Sequence, residues 1–176
     1  FKGIDVVFAI DSSGSMSYND SNNVRKTVTK NFFDHFTNDD RAAIVDFDNW
    51  AYVVTPFTSD KSTLEKAVDK IDSYGGTNLS SAISAGIDLF TSSSYKNDGH
   101  AKYIIFLTDG EGDYSNIYTE EAQREGITIF TVGLGDEVSV DLLKDIATGT
   151  GGQYYHADEA DKLYGIFDTI ADKTDL

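Results

Sequence analysis

Ile4-Asp5-Val6-Val7-Phe8-Ala9-Ile10-Asp11-Ser12-Ser13-Gly14-Ser15 is an almost unbroken apolar run that stops in a carboxylate, hydroxyls and a glycine. Apolar residues at consecutive positions, rather than alternate ones, predict a strand covered on both faces, as in a parallel sheet. Tyr103-Ile104-Ile105-Phe106-Leu107 repeats the pattern and ends in Thr108-Asp109-Gly110. Ile127 to Val132 is a third such run, and Gln153-Tyr154-Tyr155 a short last strand. Ala42 to Phe47 and Tyr52 to Val54 flank the turn residues Asp48-Asn49. That close spacing predicts a hairpin, so the third strand runs antiparallel, and Pro56 near its end is tolerable at a sheet edge.

Between the strands, apolar residues recur at helical spacing. Val24, Val28, Phe32 and Phe36 mark a helix within about Asp20 to Phe36. Ser59 or Asp60 caps a second, with Leu64, Ala67, Val68 and Ile71 as its buried stripe. Gly75-Gly76 breaks the chain before a helix from about Asn78 to Phe90. Further helices are expected over Ile117 to Arg124, Val140 to Thr148 and about Glu159 to Asp172. Strands alternating with helices predict an α/β fold, a doubly wound, Rossmann-like three-layer sandwich with a mainly parallel sheet. Residues 1–176 read as one domain.

The chain carries 14 Lys and Arg against 30 Asp and Glu, a formal charge of −16. Such a charge repels phosphate backbones and anionic lipids, which argues against nucleic acid and membrane-surface partners. No apolar run approaches the roughly 20 residues of a membrane span. The chain opens directly on a strand, without the pattern of a signal peptide, and is expected to be part of a larger multidomain protein. Cysteine is absent, which excludes disulfides and thiolate metal sites and suits a bacterial surface protein.

In a doubly wound sheet, ligands bind beyond the carboxyl ends of the central strands. Two candidate central strands end in polar loops, one with Asp11, Ser13 and Ser15, the other with Thr108, Asp109 and Gly110. Gly75-Gly76-Thr77-Asn78 opens a helix between them in sequence. If the two strands are neighbours, the loops converge. Asp11, Ser13, Ser15, Thr77 and Asp109 then form an all-oxygen set without His or Cys. Two acids and three hydroxyls suit a hard divalent cation, Mg²⁺ first and Mn²⁺ or Ca²⁺ as alternatives, with room for an outside oxygen.

Taken together, Asp11-Ser12-Ser13-Gly14-Ser15-Met16, the Gly-Gly-Thr-Asn loop at 75–78 and Leu107-Thr108-Asp109-Gly110 resemble the von Willebrand factor A domain and its metal-ion-dependent adhesion site. The resemblance implies strand order 3-2-1-4-5-6, with strand 3 antiparallel at the edge. It implies Ser13, Ser15 and Thr77 as direct metal ligands, and Asp11 and Asp109 as direct or water-mediated ones. It also implies a protein ligand that supplies a carboxylate, and an extracellular or cell-surface setting. In the resembling family the C-terminal helix, here with its stripe Leu163, Ile166, Phe167 and Ile170, slides when affinity switches.

Each of these residues also has an ordinary reading. Asp11 and Ser13 could cap the first helix, Thr77 could cap its own, and Asp109-Gly110 could be only a turn. His35, His100 and His156 lack metal spacing and read as structural or surface residues. Trp50 reads as edge packing in preference to a ligand cage, while Glu111, Asp113 and Tyr114 are rim candidates for partner selection or a solvated loop. With no general base, nucleophile–base pair or phosphate cradle in view, the chain reads as an adhesion or protein-binding module and not as an enzyme. A metal-dependent phosphotransferase or phosphohydrolase using Asp11 as nucleophile is the alternative, disfavoured because Ser13 and Ser15 stand where a second acid would be expected and no lysine is placed beside Asp109. A structural pilus or scaffold domain with a vestigial metal site is a third reading.

Overall fold

The computed structural model describes residues 3–175. Its strands are β1 (Ile4–Asp11), β2 (Arg41–Phe47), β3 (Ala51–Thr58), β4 (Ala101–Thr108), β5 (Ile127–Leu134) and β6 (Tyr154–Ala157). They form one sheet in the order β3-β2-β1-β4-β5-β6. All neighbours pair in parallel except β3, which runs antiparallel to β2 at the edge. Fold class, strand order and the antiparallel edge are as expected from the sequence.

The helices are α1 (Met16–Asn19), α2 (Val24–Phe33), α3 (Lys61–Asp69), α4 (Leu79–Thr91), α5 (Asn116–Arg124), α6 (Val140–Gly149) and α7 (Leu163–Lys173). They cover both faces of the sheet. Val6, Phe8 and Ile10 of β1 join α2, α3 and α7 in one core, while Val7 and Ala9 join α4, α5 and α6 in the other. This is the period-2 alternation of a strand whose two faces are both dry, and it explains the continuous apolar run. Phe8 sits edge-on to Phe32 and Phe33, with ring centroids at 5.2 and 5.6 Å. On the opposite face Gly86 lets α4 approach closely, since a Cβ there would lie 2.8 Å from Ile104 Cδ1.

Three details differ from the sequence reading. The helix expected from about Asp20 begins at Val24, because the Asp20 carboxylate accepts from the Val24 and Arg25 amides and Asn23 takes a left-handed φ of 55°. Phe36 lies past its end, yet packs against the same core. β3 is longer than expected and runs through Pro56, which an edge strand tolerates. Trp50 does not pack at the edge; it is exposed.

β1 connects outward to β2 and β3, and the chain then crosses back to β4 on the other side of β1. The carboxyl ends of β1 and β4 therefore flank the point where strand order reverses, the crevice where doubly wound sheets bind ligands.

Candidate metal centre

Asp11 is the last residue of β1 and is fully buried. Its Oδ1 accepts from the Ser13 amide at 2.7 Å. Its Oδ2 accepts from Thr108 Oγ1 at 2.8 Å and from the Asp109 amide at 3.3 Å. Asp109, just past β4, is also buried and accepts from Ser13 Oγ at 3.3 Å, Ser15 Oγ at 2.6 Å and Asn19 Nδ2 at 2.8 Å. Ser13 and Ser15 hydroxyls lie 3.1 Å apart. Four of the five sequence-predicted residues thus form one hydrogen-bonded cluster.

Thr77 arrives differently. It makes no hydrogen bond into the cluster, but a Cβ on Gly110 would lie only 3.4 Å from its Oγ1. Its loop is stitched to the first one, with the Gly14 amide donating to Gly75 O at 2.9 Å and the Tyr74 amide to Ser12 O at 2.7 Å. The β2–β3 turn braces it from outside through Asn49 Oδ1, which accepts from the Gly76 amide at 2.9 Å. Gly75, at φ 95°, takes a conformation that favours glycine.

The residue before α1 is Ser15, whose side chain caps nothing and donates to Asp109 instead. Asn78, not Thr77, caps α4, accepting from the Ser81 amide at 3.0 Å. Both hydroxyls are therefore free of capping duty.

Electrostatics set this cluster apart. Burial, and next the charge of Asp109, push Asp11 up to about 6 against the pull of its hydrogen bonds from Ser13 and Thr108. Among the described residues, no Lys, Arg or His forms an ion pair with Asp11 or Asp109. Two buried carboxylates side by side without a cation are costly. Two acids and three hydroxyls, brought together by three loops, are a donor set that could hold a hard divalent cation and offset that cost.

Sequence reasoning missed three supporting residues. Asn19 lies four positions after Ser15, on the same face of α1, but a single turn leaves no apolar period to reveal it. Thr108 was visible only as part of a motif, whereas its hydroxyl fixes Asp11. Arg25 is fully buried and donates to Asp11 O at 3.1 Å, Asp20 Oδ2 at 3.0 Å and Asp72 O at 2.6 Å. It ties the end of β1 to the loop before Thr77 without touching either site carboxylate. Of the rim candidates, Glu111 and Asp113 are exposed, while Tyr114 is half-buried with its hydroxyl 2.7 Å from Thr119 Oγ1.

The strand order and the three loops meeting above β1 and β4 can be set beside known proteins. The von Willebrand factor type A domain family matches residues 5–169. The chain belongs to this family. Inter-alpha-trypsin inhibitor heavy chain H2 of Mus musculus is 26% identical over 94% of the chain, which spans 18% of that protein's length. Proximal thread matrix protein 1 from the mussel byssus, in a structure described as having a zinc-occupied MIDAS motif, superposes with a TM-score of 0.83 at 24% identity, covering 96% of this chain and 45% of that one. The von Willebrand domain of the type V pili tip protein Mfa5 from Porphyromonas gingivalis superposes with a TM-score of 0.76 at 17% identity, covering 98% and 95%. These likenesses to solved structures establish the von Willebrand A fold.

Proposed function

We propose that this domain is a metal-dependent protein-binding module, in which Asp11, Ser13, Ser15, Thr77 and Asp109 hold a divalent cation, Mg²⁺ in the first place. The observation that carries this reading is the pair Asp11 and Asp109, buried, adjacent and without a cation from the protein. When bound, the metal supplies a hard positive centre that accepts a carboxylate oxygen from a protein partner. The chain's own residues do the rest. Ser13 and Ser15 offer hydroxyl oxygens between the carboxylates, Thr108 and the Ser13 amide orient Asp11, and Asn19 orients Asp109. No nucleophile–base pair stands beside them, so the domain binds its partner without transforming it.

The mussel protein described with a zinc-occupied MIDAS motif supports the metal assignment, and the pili tip protein supports a place at a cell surface. The domain acts as one part of a larger extracellular protein. Isothermal titration of the EDTA-stripped protein with Mg²⁺ tests the site. One bound ion per chain is expected in the native protein, and none in Ser13→Ala. Equal Mg²⁺ binding by both would overturn the assignment. Absence of binding for Mg²⁺, Mn²⁺ and Ca²⁺ alike would favour a scaffold domain with a vestigial site.

A further inference from the structure

Around the metal centre stand three of the most exposed large hydrophobic side chains among the described residues: Tyr18 at 74%, Trp50 at 66% and Tyr74 at 80%. Each adjoins a residue already bonded into the site. Tyr18 precedes Asn19, which donates to Asp109. Trp50 follows Asn49, whose Oδ1 holds Gly76. Tyr74 precedes Gly75, whose carbonyl receives the Gly14 amide. The three rings come from α1, the β2–β3 turn and the segment before α4, the same three segments that bond into or brace the site.

The same rim is uniformly acidic. The loops at 11–19, 46–50, 72–78, 109–116 and 135–139 contain nine Asp and Glu and no Lys or Arg. The last of these joins the rim at Gly135, whose Cβ would lie 3.8 Å from Asn19 Oδ1. A divalent ion neutralises only Asp11 and Asp109. Asp46 already feels the others, its carboxyl held above the ordinary range by burial first and then, against a hydrogen bond from Ser12, by Asp72 and Asp48. Arg25, the cation that acts on Asp46, is committed to Asp20 and to backbone carbonyls. A partner carboxylate entering on its own would cross this field within about 10 Å, roughly one screening length at moderate salt.

We propose that the partner of this site is a basic protein segment, with one carboxylate for the metal and flanking Lys or Arg side chains that lie on Tyr18, Trp50 and Tyr74. Cations satisfy the rim twice over, since aromatic faces attract them and the surrounding acids do so again. A neutral glycan would use the rings but gain nothing from the charge, and an acidic segment would be repelled. The proposal rests on the metal reading for the role of the carboxylate, though not for the preference for cations.

Trp50 is the only tryptophan in the chain, so its emission reports directly on the rim. The probes are a glycine-serine peptide with one glutamate flanked by two arginines on each side, the same peptide with serine for arginine, one with aspartate for arginine, and a neutral glucose oligomer. In Mg²⁺ the arginine peptide should bind at least about tenfold tighter than the serine peptide and perturb Trp50 emission, with the gap closing in 0.5 M NaCl. The double variant Trp50→Ser, Tyr74→Ser, followed by calorimetry, should erase most of that gap while keeping the native rise in melting temperature with Mg²⁺. Equal binding of the arginine and serine peptides, preference for the aspartate peptide or the glucose oligomer, or no binding of any probe would overturn the proposal. An arginine preference that persists in EDTA, with no Mg²⁺ effect on melting, would sustain the cationic rim and remove the metal reading.

Discussion

The two ends of β1 each bury an aspartate, and they solve the resulting electrostatic problem in opposite ways. At the amino end Asp5 is fully buried and meets Arg41 at 2.8 and 2.7 Å through two parallel hydrogen bonds, Tyr95 hydroxyl at 2.6 Å and His100 Nδ1 at 2.9 Å. Burial alone would raise its pKa. The hydrogen bonds from Arg41, Tyr95 and His100 overcome that and hold it below 3.8. At the carboxyl end Asp11 is equally buried, but its partners are hydroxyls and amides, and its charged neighbour is another carboxylate. A third buried aspartate, Asp20, has Arg25 at 3.0 Å. The fold can evidently place an arginine beside a buried acid. Among the described residues it places none at Asp11 and Asp109, which is the arrangement the proposed metal site requires.

Removing the internal cation is the largest way to break the comparison. Arg41→Leu leaves buried Asp5 with only Tyr95 and His100, and should cost up to about 3–5 kcal/mol in urea denaturation, the usual penalty for stripping one partner from a buried pair. Adding Asp5→Asn to it should recover part of the loss, while the response to Mg²⁺ stays native. Supplying the external cation is the converse test. At a Mg²⁺ concentration about a hundredfold above its dissociation constant, the protein should gain about 2.7 kcal/mol of stability, lost again in EDTA. A native response in Asp109→Asn would show that the ion acts elsewhere.

The sequence made one end of this strand far more legible than the other. Asp11, Ser13, Ser15, Thr77 and Asp109 are small polar residues placed after apolar strands or at a helix start, where helical and strand periods stop, so they stand out from the pattern. The apolar runs marked the strands, and the resemblance alone implied their order. Asp5 is hidden inside such a run, and its partners Arg41, Tyr95 and His100 are 36 to 95 positions away. Arg25 is equally invisible, since a lone arginine beside Val24 reads as a solvated face. Pairings across the fold carry no local period, and the aromatic part of the rim escaped for the same reason: Trp50 reads as packing until its exposure is known, whereas Glu111 and Asp113 were legible as rim residues.

Acid sharpens the comparison at the amino end. Because the folded pKa of Asp5 lies below its unfolded value of 3.8, its contribution to stability is present above pH 3.8 and disappears as pH falls through the lower folded value. One proton sets the limit, about 1.4 kcal/mol per pH unit. Denaturation followed from pH 5 to pH 2 should show this slope in the native protein and a shallower one in Asp5→Asn. Parallel curves would mean that the Arg41 pairing contributes nothing to acid stability.

The smallest effect is the most discriminating, because its sign is opposite to that at Asp5. Asp109→Asn removes one of two adjacent buried charges and can keep every hydrogen bond. The amide oxygen at the Oδ2 position accepts from Asn19 Nδ2 and Ser15 Oγ, and the new NH₂ at the Oδ1 position donates to Ser13 Oγ, which accepts as readily as it donates. In metal-free buffer this variant should therefore fall within about 1 kcal/mol of the native protein, on the side of greater stability. Arg41→Leu takes away attraction, whereas Asp109→Asn takes away repulsion. A loss of several kcal/mol on Asp109→Asn, measured by the same urea denaturation in EDTA, would mean that this carboxylate stabilises the fold by itself and that the cluster has no need of a cation.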